Sequence, residues 1–427
     1  MWTRRGFGLT AIAAGLTATG VVRAQEAIPP EQRLRNEGRY LPHYLALQAR
    51  VEAGDDDMAR SELSQYAALV GDEATALGLV ERPPHPRIEA PDLDGAEARD
   101  AIDAIVEGAA RTRVVILNEA HNISGHRAFA AVVARALKPL GYDWFAAEAF
   151  VSLWKEPTPS MGLYREGMAF TYQMGWYTQD PVFAETVREA ARLGYRFADY
   201  EQTWLQRASE DLDSEARIAV REQAQAENLI ANVLTPHPEA KVFVFVGYSH
   251  AMEKPGLGGT WFAARLKALT GIDPLTIEQS SNWPALDPAN DARHVAAVLE
   301  KFAPTAPITV SKDDLSVGSR GYAGQMDLSV FHPRREAVSG RPGWLAADPM
   351  RQAVEVTVPL FEGPALLQVM RASEGPAGVP ADQFLLQPGQ NRATLMLHPG
   401  AYFLRLERPE GIDPAYGAIT VEPVTPQ

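Results

Sequence analysis

The sequence predicts an α/β fold: a mainly parallel sheet flanked by helices, with an N-terminal helical hairpin and a small C-terminal β-sandwich. Three observations carry that expectation. The apolar runs Val114-Val115-Ile116-Leu117 and Val242-Phe243-Val244-Phe245-Val246 do not alternate with polar residues, as suits strands covered on both faces. Between residues 95 and 283 such runs are separated by helical segments, the spacing of βαβ units. From residue 350 onward, turns and alternating runs follow closely on one another, the texture of antiparallel sheet.

In chain order, residues 1–24 read as a twin-arginine export signal. Thr3-Arg4-Arg5-Gly6-Phe7-Gly8-Leu9 precedes an apolar stretch to Val22 and a small-residue cleavage site at Val22-Arg23-Ala24. The stretch is too short for a permanent anchor. The mature chain is therefore expected to be periplasmic or secreted, not inserted in a membrane, with the twin-arginine export machinery as its partner during biogenesis. Residues 25–90 follow as a helical hairpin and proline-rich linker. Tyr44, Leu47 and Val51, then Leu63, Tyr66, Ala67 and Val70, recur at helical spacing around a break at Gly54-Asp55-Asp56-Asp57. Arg82-Pro83-Pro84-His85-Pro86 is the linker.

Residues 91–283 are the α/β unit. Strands are expected at 114–117, 144–147, 196–199, 242–246 and 275–278, and helices at 125–137, 181–193, 214–234 and 260–269. Residues 284–345 read as an irregular connector with candidate strands at 308–310 and 326–331, and 346–427 as the β-sandwich, a binding or packing appendage.

Composition narrows the function. Three of the 40 basic residues and none of the 54 acidic ones lie in the first 24 residues, so the rest carries 37 against 54, net −17. Such a surface repels phosphate backbones and anionic lipid, which disfavours nucleic acid and membrane-surface partners and leaves cationic or neutral small substrates open; the expected partner is a small-molecule or peptide substrate. The chain has no cysteine, which removes disulfides, thiolate metal sites and a cysteine nucleophile. No Gly-x-Ser-x-Gly elbow, P-loop or His-Glu-x-x-His motif stands at a strand–helix junction.

What remains is a set of acids and histidines at strand ends. In open α/β sheets, ligands bind beyond the carboxyl ends of the strands. Glu119 and His121 follow the first strand, Glu148 ends the second, and His250 follows the apolar strand at 242–246. A carboxylate beside an imidazole can orient it, raise its basicity or share a metal with it. Arg221, Glu222 and Asn228 lie on the long helix, and Tyr200 and Glu201 follow another strand. Tyr248 precedes His250 in Gly247-Tyr248-Ser249-His250. His126 is read as a solvated histidine, since a spacing of five from His121 puts the two on different helix faces.

In order and spacing these motifs resemble the erythromycin esterase-like superfamily, which includes ChaN-type lipoproteins and, more distantly, TraB/TIKI-type proteases. The resemblance covers roughly residues 105–280. Glu119 and His121 match a Gly-Glu-x-His motif with Asn118 in place of its glycine, Glu148 matches the next strand's closing glutamate, and His250 the last histidine. Arg221, Glu222, Ala226 and Asn228 match an Arg-acid helix in which Gln225 replaces the usual methionine. The resemblance implies a hydrolase in which His121 or His250 is a general base, Glu119 and Glu148 orient imidazole or water, and Arg221 stabilises developing negative charge. Glu222, Asn228, Tyr200, Glu201 and Tyr248 would support them. A variant adds a divalent metal (Mn, Zn or Fe) held by Glu119, His121, Glu148 and His250. The alternative from another class is a haem- or iron-binding protein without catalysis, with Tyr248, Tyr200 or a histidine as axial ligand. The aromatics Trp154, Tyr164, Phe170, Tyr172, Trp176 and Tyr177 are expected to line a cavity, a lid or the core.

Overall fold

The computed structural model describes residues 33, 37–54, 57–150, 161–256 and 259–423. The expected export signal, Trp154, and Asp55 and Asp56 of the hairpin break lie outside the described residues. The central element is a nine-stranded sheet. Its strands are β1 (Glu97–Asp100), β2 (Val114–Glu119), β3 (Trp144–Ala147), β4 (Arg196–Ala198), β5 (Val242–Gly247), β6 (Leu275–Glu278), β7 (Ile308–Lys312), β8 (Leu315–Ser316) and β9 (Leu328–Phe331). They lie in the order β1-β7-β9-β6-β2-β5-β3-β4, with β8 beside β7. The six strands from β9 to β4 pair in parallel, whereas β1, β7 and β8 pair antiparallel at one side. The fold is therefore mixed α/β with a mostly parallel sheet.

Helices α1 (Leu41–Glu52), α2 (Asp57–Leu69) and α3 (Glu73–Gly78) form the N-terminal unit. The sheet is flanked by α4 (Ala101–Ala109), α5 (Ser124–Leu137), α6 (Pro181–Arg192), α7 (Ser214–Leu229), α8 (Phe262–Thr270) and α9 (Arg293–Phe302). Their starts follow local chemistry. Asp180 caps α6 by accepting the Val182 N–H at 2.8 Å, with Pro181 at the first position, where its missing N–H costs nothing. Asp213 caps α7 through the Ala216 N–H.

Strand residues divide between two cores by the alternation of a pleated chain. Val115, Leu117, Phe145, Phe243 and Phe245 face one core, and Val114, Ile116, Ala146, Val242 and Val244 the other. Both sets are apolar, which is why these strands read as continuous runs. The first core also takes in Tyr40, Tyr44, Leu47, Leu63 and Tyr66 of the hairpin and Leu366, Val379 and Leu385 of the C-terminal unit. The hairpin is thus packed into the main core.

The C-terminal unit has a two-stranded sheet, β10 (Gln352–Thr357) with β13 (Arg392–Leu397). It also has a four-stranded sheet of β11 (Ala365–Arg371), β12 (Asp382–Leu386), β14 (Gly400–Arg408) and β15 (Gly411–Val421). Leu395 and Leu397 from one sheet and Leu367, Val369 and Leu404 from the other share an apolar core.

Three expectations are corrected. Residues 284–345 are not simply an irregular connector, because α9, β7, β8 and β9 lie there and extend the main sheet. Short strands at a sheet's side carry little periodicity to read, and exposed β1 carries none. The long helix ends at Leu229 and continues to Leu234 as a wider π turn. His126 is fully buried, not solvated: its Nδ1 accepts the Ala120 N–H at 3.1 Å, and burial holds its pKa well below the usual value.

Candidate active site

Strand register brings the chemistry together. In the parallel pair β2/β5, Glu119 stands opposite Gly247, and in β3/β5, Ala147 stands opposite Phe245. Three neighbouring strands, β2-β5-β3, therefore end along one rim, and the chain leaving each delivers His121, His250 and Glu148 in turn. Strand β4, next in the sheet, delivers Tyr200 and Glu201.

Glu119 and His121 form the first half of the site. His121 Nδ1 lies 3.0 Å from Glu119 Oε1. Fully buried Arg127 donates from Nε to Glu119 Oε2 at 2.8 Å and from Nη2 to the His121 carbonyl at 2.9 Å. Burial alone would raise the Glu119 pKa, but the Arg127 guanidinium and His121 outweigh it and keep the carboxylate ionised. An ionised Glu119 accepts the Nδ1 proton, so the Nε2 lone pair of a neutral His121 points away from it. Nε2 makes no hydrogen bond among the described residues. The imidazole is stacked on Tyr177, with ring centroids 4.0 Å apart, and meets the edge of Tyr248 at 4.9 Å.

Glu148, His250, Arg221, Glu201 and Glu222 form the other half. Glu148 Oε1 pairs with Arg221 Nη2 and lies 3.3 Å from His250 Nε2, while its Oε2 accepts the Gly247 N–H at 2.7 Å. His250 Nδ1 lies 2.9 Å from Oε2 of fully buried Glu222, which also accepts the Phe262 N–H at 2.8 Å. Burial opposes charge on His250, but the two carboxylates prevail and its pKa is raised to about 10. Glu148, despite its burial, is held well below the carboxylate range by His250 and Arg221. Both ring nitrogens of His250 thus face carboxylates that favour its charged form, an arrangement less suited to a general base than that of His121. Arg221 holds Glu201 through Nε and Nη2, and its Nη1 makes no hydrogen bond among the described residues.

Gly247 joins the halves. A Cβ there would lie 2.5 Å from His121 Cε1 and 3.1 Å from Glu148 Oε2, so only glycine lets imidazole and carboxylate approach the strand end together. Tyr248 follows with φ of 36°, a left-handed conformation costly for a residue with a side chain. Asn118 holds it there through an Nδ2 bond to the Tyr248 carbonyl at 2.8 Å, and the Tyr248 hydroxyl accepts the His121 N–H at 3.2 Å.

Two expected residues sit behind the cluster. Asn228 bonds the Glu201 carbonyl at 2.9 Å and so braces the loop carrying Glu201. Tyr200 is buried, stacked on Phe262 at 5.1 Å, with a hydroxyl that finds no partner among the described residues. Two residues of the site carry no signal in the sequence, Arg127 and Asp180, and two that stand in its patterns, Tyr177 and Gly247, take their places at the site only through the fold. Arg127 and Asp180 looked like ordinary helix residues, and only their mutual burial shows an ion pair beneath Glu119. Tyr177 was noticed only as one of several aromatics. Of the others, Tyr164, Phe170 and Tyr172 are buried in the main core, and Trp176 is half-exposed.

The donor set does not suit a divalent metal. Both oxygens of Glu119 face Arg127, Glu148 faces Arg221 and an imidazolium, and both His250 nitrogens are taken. A cation would have to displace these positive partners. Among the described residues no group of three or more His, Asp or Glu side chains is arranged to hold a metal ion. An axial ligand for haem fares no better at the tyrosines, since Tyr200 is sealed under Phe262 and Tyr248 already accepts the His121 N–H.

No family model matches this sequence, and neither does any characterised protein sequence. Among solved structures, the type III effector HopBA1 is 14% identical, with 49% of this chain and 94% of the effector covered, at a TM-score of 0.29. Two structures described as bacterial protein toxins are 15% and 14% identical over 49% of this chain and 38% and 44% of theirs, at TM-scores of 0.26 and 0.27. Similarity at that level carries no argument about activity.

Proposed function

We propose that the protein is an exported hydrolase of the erythromycin esterase-like kind, attacking an ester or amide with water activated by His121. The observation that carries this reading is the Glu119–His121 pair: Nδ1 is 3.0 Å from a carboxylate kept ionised by buried Arg127, and Nε2 is left open at the strand-end rim. In this mechanism Nε2 takes a proton from water as the water attacks the carbonyl, and Glu119 stabilises the imidazolium that forms. The free Nη1 of Arg221 is the group suited to bond the tetrahedral oxyanion. Its remaining donors hold Glu148 and Glu201, which keeps the guanidinium fixed before reaction. His250 serves as a buried cation that holds Glu148 ionised and in place, while Glu148 Oε2, beside His121, is suited to orient the water.

General-base assistance is worth roughly 10²–10⁴-fold. His121→Ala should therefore lower kcat/KM by about that factor on a responsive ester or lactone, with an unchanged circular dichroism spectrum. A well-folded His121→Ala protein with full turnover would overturn the mechanism. A Soret band in freshly purified protein would favour haem binding instead.

A further inference from the structure

A cleft of about 1240 Å³ lies between helices α5 and α6 and the chain entering the C-terminal unit, large enough for a small molecule. Phe129 and Val132 of α5, Ile102 of α4, Trp283 and Trp344 give it apolar walls. None of Glu119, His121, Glu148, Arg221 and His250 lines it. The carboxylates on its wall already have donors. Glu185 is held by Arg188 and Arg371, and Glu189 by Arg135 at 3.2 Å and by Arg192. Asp348 Oδ2 lies 2.9 Å from His398 Nε2, and its Oδ1 accepts the Met350 N–H at 3.0 Å. Asp100 stands at the N-terminus of α4, where its Oδ1 accepts the Ile102 and Asp103 N–H groups at 2.8 Å and 3.1 Å. Burial opposes charge on His398, but Asp348 and Glu185 outweigh it and raise its pKa. His332 is neutral, since burial lowers its pKa to about 3.

Two arginines on the same wall keep unused donors. Arg351, with a side chain only 5% exposed, gives Nη1 to the Met396 carbonyl at 2.9 Å. Its Nε is 3.9 Å from Asp348 Oδ2, too long for a hydrogen bond. Nε and Nη2 make no hydrogen bond among the described residues, yet neither is sealed from water. Together they form the guanidinium edge that takes a carboxylate side-on. Exposed Arg335 gives Nη2 to the Thr305 carbonyl at 2.9 Å, and its Nε and Nη1 are unused among the described residues.

We infer that this cleft is a further binding site, separate from the strand-end rim, for a singly charged carboxylate on an aromatic or alkyl body, with Arg351 as its anchor. The inference does not depend on the hydrolase reading. A carboxylate here meets N–H groups that nothing else uses, whereas a cation meets carboxylates that already have partners. The body of the ligand covers Phe129, Val132 and Trp283. One guanidinium edge is open and Asp348 stands beside it, so a second negative charge on the ligand would be repelled.

The test uses the full chain and three probes that share one ring system: naphthalene-1-acetate, its neutral amide and 1-naphthylmethylammonium. Binding is followed by titration calorimetry at neutral pH. The carboxylate should bind at least about tenfold more tightly than the amide or the ammonium, the worth of one charge-assisted hydrogen bond. Arg351→Gln, which keeps a donor for the Met396 carbonyl, should bring the carboxylate down to the affinity of the amide. Arg351→Lys keeps the charge without the fork and should fall between the two. Val132→Asp, at a site 37% exposed on α5, should also weaken the carboxylate and locates the site if the Arg351 variants misfold. His121→Ala should leave carboxylate binding unchanged. Equal binding of the three probes, or no detectable binding of the carboxylate, would overturn the site. So would carboxylate binding unchanged in a folded Arg351→Gln protein (or, if that variant misfolds, in Val132→Asp), and so would a loss confined to His121→Ala.

Discussion

At the scale of single residues, the site assigns opposite electrostatic tasks to two histidines that the sequence presents alike. His121 is hydrogen-bonded to one carboxylate, and its Nε2 makes no hydrogen bond among the described residues, while His250 is bracketed by Glu148 and Glu222. With its pKa raised to about 10 against about 6.5 in an unfolded chain, protonated His250 favours the folded state. That contribution is fully present below about pH 6.5 and is lost as pH rises through about 10. The ring resonances of His250 should accordingly titrate near pH 10 by nuclear magnetic resonance, and urea stability should fall between pH 6.5 and 10 less steeply in His250→Gln than in wild type. Titration of His250 near pH 6.5 would contradict the bracketed arrangement. The carboxylates act in the other direction: Glu148 and Glu119, held below their usual range, support the fold above about pH 4.5 and cease to do so as acid protonates them.

At the scale of elements, the helical hairpin touches the candidate site through Gln65. Helix α2 places Gln65 against the Tyr177 hydroxyl, and Tyr177 in turn backs the His121 ring. Aromatic stacking contributes about 0.5–1.5 kcal/mol beyond area burial. Replacing Tyr177 by Leu should therefore cost up to about tenfold in kcat by loosening the imidazole, with KM little changed. A drop in KM-linked binding alone would mean that Tyr177 contacts substrate and does not position the base. Sequence periodicity identified this hairpin correctly, through Tyr44, Leu47, Leu63 and Tyr66, because one face of each helix is apolar. It did not reveal where that face docks. Docking depends on partners hundreds of residues away, such as Glu407, which is buried and accepts the Tyr40 and Leu41 N–H groups at 3.0 Å and 3.1 Å. Strands β2 and β5 were legible because both faces of each are buried, whereas exposed β1 and two-residue β8 were not.

At the scale of the whole molecule, the C-terminal sheets are fastened to the α/β unit by a buried polar junction. Glu185 on α6 pairs with Arg188 of its own helix and with Arg371 of β11, and lies 3.1 Å from His398 Nδ1. Arg188 also bonds Glu374 at 2.7 Å. Burial would raise the Glu185 pKa, but Arg371 and Arg188 hold it well below the usual range. Removing the carboxylate leaves two guanidinium groups buried without it, and breaking a buried pair in this way costs about 3–5 kcal/mol. Glu185→Ala should lower unfolding stability by that amount in urea titrations. A loss below about 1 kcal/mol would show that the junction is open to water.

By itself the sequence determined the α/β class, the apolar strands, the helical hairpin and the residue types at the strand ends. Each of these rests on local periodicity or on residues within a few positions of one another. Tertiary structure alone decided that Glu119 would be clamped by Arg127, that Gly247 would leave room for His121 beside Glu148, and that His250 would stand between the carboxylates of Glu148 and Glu222. The physical reason is that charge state and close approach depend on what is buried next to a group. Parallel strand pairing chose those neighbours from segments about a hundred residues apart.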